Sequence, residues 1–390
     1  MTTPTQTFDW TDQAFLSDPY PHYRALRERD PVHYNASRGT WALTRYNDIV
    51  AVLRDHDRFS AERGPGAEDP DFPRSMLGSD PPHHTRLRNL VNKAFTARTV
   101  ERLRVRIQEL VDANLDRVAE RGEMEVVNDF AYPLPITVIA EMLGVPADDR
   151  DFFREASSKI AVALGPIEDM QIAMRALEGR NQLIAYFNEL IPKRSGDDGD
   201  DLITALLRAE EAGDFLSHGE LLAMLLLLLV AGHETTVNLI GNGLIALLRN
   251  PDQLERLRSE EGIERKATEE LLRYDSPVQF TGRVVLEDVE IGGKTIRAGQ
   301  GLTTLLASAN RDPELFEDPD MLDLTRDPCP HLSFSAGIHF CLGAQLARLE
   351  GQIALSTIVR RFPDIAIATD KLEWRPAPIL RGVVALPVTF

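Results

Sequence analysis

The chain has 390 residues, 43% of them hydrophobic and 27% charged, and its 61 acidic against 43 basic side chains leave a net charge of −18. That apolar share fills a sizeable core and excludes wholesale disorder, while the acidic surplus excludes a surface that binds nucleic acid or anionic membrane throughout. Two cysteines, Cys329 and Cys341, are too few for a disulfide framework or a four-thiolate zinc site, and they fit a reducing cytoplasm.

Residues 1–10 are polar, with no basic start and no apolar stretch, so neither a secretory nor a transit peptide is expected. Strand-like runs at 32–34 and 41–44 come first, followed by a Gly/Pro/Asp-rich stretch, 64–82, long and irregular enough to be a functional loop. Helical periodicity marks 100–119, 135–143, 173–190 and 202–212, with an acidic loop at 195–201 before the last. Ser217 and Glu220 then form an S-x-x-E capping box, and the apolar pattern behind it runs to Arg249, where Asn250-Pro251 stops it. About thirty residues rising ~1.5 Å each make a rod of roughly 45 Å. Residues 225–230 are apolar on every side, so other helices must enclose the rod. Its unbroken apolar run, 221–232, is short of the about twenty residues that a membrane span needs. A helix at 267–274, strand signals over 283–305, a helix at 342–361 and a strand at 382–390 complete the chain. The expected fold is mainly α with a minor β-sheet, without repeats or a low-complexity linker.

Inside the apolar rod, Ala231-Gly232-His233-Glu234-Thr235-Thr236 interrupts the hydrophobic pattern with small residues, an acid and two hydroxyls. A mid-helix Thr235 hydroxyl can bond the Ala231 carbonyl four residues back, and the small residues leave room for a ligand or a local opening of the helix. The cluster is read either as the point where the helix passes a solvated cleft or as a proton-delivery site facing a bound cofactor. A second segment runs Phe334-Ser335-Ala336-Gly337-Ile338-His339-Phe340-Cys341-Leu342-Gly343. Cys341 precedes a helix, whose amides and positive dipole end stabilise a thiolate; alone, such a cysteine is more often a small buried hydrophobe.

Phe334, Gly337, His339, Cys341 and Gly343 together fill every fixed position of F-x-x-G-x-[HR]-x-C-x-G, and the segment resembles the haem-thiolate loop of the cytochrome P-450 monooxygenases. Residues 231–236 are similar to that family's oxygen-binding stretch [AG]-G-x-[DE]-T-[ST], about a hundred residues upstream. Glu270 and Arg273 match its E-x-x-R helix, and 310–313 with 331–334 resemble the segment leading to the haem loop. The resemblance runs from about Asp18 to the C-terminus. It implies the cytochrome P-450 fold, with haem b between the long helix and the Cys-loop helix, and a single haem domain over 1–390 without a fused reductase.

The resemblance further implies roles for individual residues. Cys341 would be the iron ligand, its thiolate favouring O–O cleavage. Ala231 and Gly232 would leave space above the iron, Thr235 would hydrogen-bond the distal oxygen and a water, and Glu234 would link that water to solvent by rotating. His84 and Arg88, spaced H-x-x-x-R, with Arg283 and His339 would hold the two haem propionates, because buried carboxylates need charged donors to offset desolvation. Leu77, Ser333, Phe334, Gly337 and Gly343 would complete the haem contacts. Glu270 and Arg273, an ordinary surface pair by spacing alone, would lock the haem-binding core. The substrate pocket would draw on Met76, Leu227, Ala231, Val278, Phe280, Ile379 and Leu380, within segments 74–77, 160–174, 227–235, 278–281 and 379–380. This lining is mainly apolar and suits a hydrophobic small molecule.

Between His84 and Arg106 stand seven Lys/Arg residues against Glu101 alone, a stretch of +6 in a chain of −18. By itself that is a basic outer face of an amphipathic helix; in the family it would receive an acidic ferredoxin or a flavodoxin served by an NAD(P)H-dependent reductase. The expected function is insertion of one oxygen atom from O2 into a mainly apolar organic molecule, in secondary metabolism or xenobiotic oxidation. The expected setting is cytoplasmic and monomeric, without nucleic-acid or membrane partners. A peroxide-driven peroxygenase and a non-enzymatic haem sensor are the alternatives, and the intact Glu234-Thr235 pair speaks for the O2-dependent enzyme.

Overall fold

The long rod is a helix over His218–Leu248, one residue inside each expected end. Ser217 Oγ accepts from the Glu220 amide, and the Glu220 carboxylate accepts from the Ser217 amide at 2.8 Å, so two orphan donors are satisfied reciprocally. Helices Pro133–Met142, Arg150–Ala161, Glu264–Tyr274 and Ala344–Arg361 pack around the rod and bury its all-round apolar surface. Averaged over a longer window, its mean hydropathy of 1.6 places it within the bilayer-span range that its unbroken apolar run did not reach; 78% of that window is buried by the rest of the fold. The structure, a computed structural model, describes residues 12–36, 38–62, 73–161, 170–194, 199–209 and 215–390. Residues 64–72, 162–169, 195–198 and 210–212 of the segments singled out above lie outside the described residues.

The periodicity over 100–119 resolves into two helices, Ala97–Arg102 and Arg104–Asp116. At the break the Leu103 amide reaches back only to Val100, a tightened turn that changes the helix direction. The 173–190 pattern lies within Met170–Arg194, and 342–361 begins at Ala344, after Gly343. Helices over Tyr20–Arg29, Tyr46–Arg54, Arg150–Ala161 and Pro251–Ser259 are short, of nine to twelve residues, and were not among those expected from the sequence. In the first of these the buried face includes Arg27, whose guanidinium donates to Ser308 O and Oγ at 2.9 Å.

Five strands make the main sheet, in the order Val32–Asn35, Thr40–Leu43, Gly301–Thr304, Thr281–Val285, Phe59–Ser60. Its one parallel pairing sets Thr40 against Gly301 and Leu43 against Thr304, tying the start of the chain to a segment far downstream. The strand signal over 283–305 also contains a hairpin, Val289–Ile291 with Lys294–Ile296, whose Gly292 and Gly293 take φ 56° and 75° at the turn. Only Pro387–Thr389 of the C-terminal signal is a strand, paired with Glu123–Glu125 and Ala366–Ile367.

Glu270 and Arg273 are fully buried rather than a surface pair. Arg273 donates to Glu270 through Nε at 2.6 Å and Nη2 at 2.7 Å. Its other N–H groups reach the carbonyls of Asn310 at 2.9 Å, Pro319 at 2.7 Å and Met321 at 3.0 Å. Glu270 in turn accepts from the Asp323 amide at 2.9 Å and Arg326 Nε at 3.1 Å. Every donor of the guanidinium fork is matched, which is what makes a buried charge pair tolerable. The pair pins the loop over 310–326 against the helix that backs the Cys341 segment.

Candidate functional site

The loop from Phe334 to Gly343 is shaped by backbone positions that few residues adopt. Ser335 and Gly337 both have positive φ, 62° and 71°. A Cβ on Gly337 would stand 2.2 Å from the Leu53 carbonyl oxygen, so only glycine allows the loop to lie against that neighbouring helix. The Cys341 amide closes the loop on the Phe334 carbonyl at 2.9 Å. Phe334 is buried, with the Arg348 guanidinium 4.5 Å from its ring centre. Ser333 is turned into a buried network, donating to Leu272 O at 2.7 Å and meeting Asn310 Nδ2 at 2.8 Å. That network anchors the loop from behind.

Cys341 is exposed at the loop tip, just ahead of the Ala344–Arg361 helix. Desolvation by the surrounding protein raises its thiol above the ordinary value, while the Gly343 amide and the Arg88 and Arg348 guanidiniums act in the opposite direction. An amide donor and two cations around a sulfur are the surroundings a thiolate ligand requires.

Next to it lies a cluster of donors without acceptors. The rings of His84 and His339 stand 4.4 Å apart, and both nitrogens of His84 and Nε2 of His339 are buried without a hydrogen-bond partner. Among the described residues Arg283, buried, bonds the Gly282 carbonyl at 2.7 Å and Thr281 Oγ1 at 3.4 Å. Burial, then Arg283 and His84, push His339 down to about 3. His84 is lowered too, by burial and Arg88. Asp80 is the nearby carboxylate, and it is engaged by the Ser60 hydroxyl and the Ala61 amide. Buried imidazoles with unpartnered ring nitrogens, beside the Arg283 and Arg88 guanidiniums, fit an anionic group with two or more carboxylate oxygens. The residues expected to hold a haem by its propionates and its iron therefore suit that group chemically.

On the long helix, exposed Ala231 and half-buried Leu227 and Thr235 are spaced by four among mostly buried neighbours, with Gly232 also half-buried. Leu227, Ala231 and Thr235 share one face. The Thr235 hydroxyl donates to the Ala231 carbonyl at 2.9 Å, as its position predicts. Gly232 lies on another face, where a Cβ would come within 3.3 Å of Ile139. Glu234 is buried and ion-paired to Arg375 at 2.7 Å. Burial alone would raise its carboxyl, but His233 and then Arg375 more than offset that and hold it near about 2. Neither partner was visible in the sequence as such: His233 was read only as part of the motif, and Arg375 comes from the C-terminal segment 141 residues away.

Of the residues expected around a substrate, Val278, Ile379 and Leu380 come together with Val230 and Ala161 in one apolar cluster, with Val278 bridged to Leu380. Leu77 is 56% exposed, and Met76 beside it is buried in the main core. Phe280 packs instead with Phe15, Tyr20, Tyr23 and Leu305, a cluster that Ile379 also touches.

The basic stretch is less bare than its sum. Arg86 is paired with Glu220, Arg104 with Glu101 at 2.6 Å, and Arg106 with Glu109 and Glu141 at 3.0 and 2.9 Å. Arg98 and Arg102 stay exposed, beside Val105 at 68% exposure.

Residues 32–371 match the family model described as Cytochrome P450. The chain is 46% identical to Cytochrome P450 107B1 of Saccharopolyspora erythraea over 97% of its length and 96% of that protein. It is 44% identical to the Cytochrome P450 monooxygenase PikC of Streptomyces venezuelae, over 97% of this chain and 92% of that one. Among solved structures, the Bacillus subtilis 168 bacillaene polyketide synthase cytochrome P450 PksS superposes with a TM-score of 0.92 at 38% identity, covering 98% of this chain and 99% of that one.

Proposed function

From a chain that belongs to the cytochrome P450 monooxygenase family, we propose an enzyme that holds haem b through Cys341 and inserts one oxygen atom from O2 into a mainly apolar small molecule. The observation that carries this reading is the buried donor cluster of His84, His339 and Arg283 beside Arg88 and Cys341. Haem bound there supplies thiolate-ligated iron for the activation of O2. His84 and His339 donate to the propionates, and Arg283 and Arg88 balance their charge. The Gly343 amide steadies the Cys341 sulfur. The part-open face of Leu227, Ala231 and Thr235, with Val278, Ile379 and Leu380, holds substrate and excludes water.

Thr235 keeps a lone pair free while donating to Ala231, so its oxygen can accept a proton arriving from Glu234 and pass its own onward. Glu234 collects protons from the side of Arg375 and Ser158. Electrons enter from a separate ferredoxin or flavodoxin and its NAD(P)H-dependent reductase, across the face that exposes Arg98 and Arg102. All 390 residues serve as one haem domain, working in the cytoplasm. The name of one structural neighbour connects it to polyketide synthesis, and an apolar polyketide-like molecule suits the lining of this pocket.

The test is spectroscopic and then kinetic. Cys341→Ala abolishes the thiolate-type spectrum of the reduced carbon monoxide complex; its survival refutes the ligand assignment. A spin-shift screen over apolar compounds, followed by turnover with NAD(P)H, a ferredoxin and its reductase, identifies substrate. Turnover with hydrogen peroxide alone refutes the O2-dependent reading.

A further inference from the structure

Both ring nitrogens of His233 face hydrogen-bond acceptors. Nδ1 lies 2.7 Å from the Leu229 carbonyl oxygen, which can only accept, so Nδ1 carries a proton. Nε2 lies 3.3 Å from Ser157 Oγ and 3.4 Å from Glu234 Oε1. The Ser157 hydroxyl already donates to the Phe153 carbonyl at 2.6 Å, so it meets Nε2 as an acceptor. Glu234, an anion beside Arg375, also only accepts. A neutral ring would set a lone pair against both oxygens in a fully buried site, whereas a doubly protonated ring turns one N–H, shared between them, toward both.

The groups around the pair agree with that count. Tyr132 meets the His233 ring edge-on at 5.5 Å, and burial and Glu234 keep its phenol protonated, pushed up to about 12. The Arg154 guanidinium lies 4.5 Å from the centre of the Tyr132 ring, on the phenol rather than on the imidazole. Glu234 and Arg375 are thus the charges the ring answers to.

We propose that His233 is held as an imidazolium and stores the proton that Glu234 hands toward Thr235, an inference that rests on the relay reading above. In this step the Nε2–H bond breaks and an O–H bond forms on Glu234 Oε1. His233 is left as the neutral Nδ1–H form and Glu234 as a neutral acid. Neutralised, Glu234 loses its ionic attraction to Arg375 and keeps one O–H to donate. Once Glu234 has passed its proton on, a proton from solvent reaches Glu234 Oε1 through Ser158, whose hydroxyl donates to it at 3.4 Å, and returns from there to His233 Nε2. Ser158 also lines an open groove of about 450 Å³ bordered by Arg154, Lys159 and Arg175.

Neutron diffraction from deuterium-exchanged crystals of the holoenzyme reads the proton directly. Deuterium is expected on both nitrogens of His233 in the wild type and on Nδ1 alone in Glu234→Gln; a singly deuterated wild-type ring overturns the proposal. His233→Asn keeps a donor for one acceptor but holds no transferable proton. Its kcat is expected to fall roughly tenfold with an unchanged substrate KM, a larger solvent isotope effect and more peroxide. An unchanged kcat and peroxide yield in haem-loaded His233→Asn also overturns it. Fully coupled turnover in both Glu234→Gln and Thr235→Ala sinks the relay reading and this inference with it. A neutral His233 beside uncoupled relay variants sinks this inference alone.

Discussion

Replacing Arg273 by lysine keeps the charge and removes the fork. The guanidinium makes five hydrogen bonds, two to Glu270 and one each to the carbonyls of Asn310, Pro319 and Met321. An ammonium has three donors at one point, so at least two of these buried acceptors lose their partner. At about 1–3 kcal/mol for each of two unsatisfied buried groups, Arg273→Lys should cost roughly 2–6 kcal/mol. The loss is measured by urea denaturation of the holoprotein, followed by far-UV circular dichroism and by haem absorbance. Because the pair pins the loop over 310–326 behind the Cys341 segment, haem absorbance should change before the helical signal does. A variant within about 1 kcal/mol of wild type, with coincident transitions, would refute the reasoning that geometry rather than charge holds this network.

Further expectations concern single positions. Glu350 is fully buried with no charged partner among the described residues, and burial pushes it up to about 8, opposed by the Thr236 hydroxyl nearby. The folded chain therefore holds this proton above the usual carboxylate range. Its contribution is complete below pH about 4.5 and is lost as pH rises through about 8, at up to ~1.4 kcal/mol per pH unit. Glu350→Gln should flatten stability across that window, and an unchanged pH profile would count against it. Gly337→Ala should lower haem content and Tm, because it combines a left-handed conformation costing about 1–2 kcal/mol with a clash on Leu53 O. Unchanged haem content and Tm in Gly337→Ala would show that the cradle is misread. Thr235→Ala should retain haem and substrate binding yet divert reducing equivalents to peroxide severalfold more than wild type, measured as product formed per NAD(P)H consumed.

Much of this protein was legible in local pattern. The long helix could be bounded almost to the residue because its capping box and its Asn-Pro stop are local devices, formed by residues three or four apart. The loop over 334–343 was recognisable in part because positive φ and close approach demand glycine at position 337, four residues before Cys341. The Thr235 bond to Ala231 follows from helix geometry alone. Helices such as Tyr20–Arg29 escaped because their buried face depends on distant partners that accept an arginine.

What only the tertiary structure decided is how charge is placed. Glu270 and Arg273 at i, i+3 look the same on a surface as in a core, and only the converging carbonyls of 310–321 show that every donor is met. A basic stretch summing to +6 is partly neutralised by Glu220 and Glu141 brought in from elsewhere. Glu234 is an acid in a motif until Arg375, 141 residues on, folds against it and His233 finds acceptors at both nitrogens. Local pattern determined where Cys341 and the Glu234-Thr235 pair stand along the chain. Desolvation and distant partners, which exist only once the chain is packed, determined which of those groups carry protons.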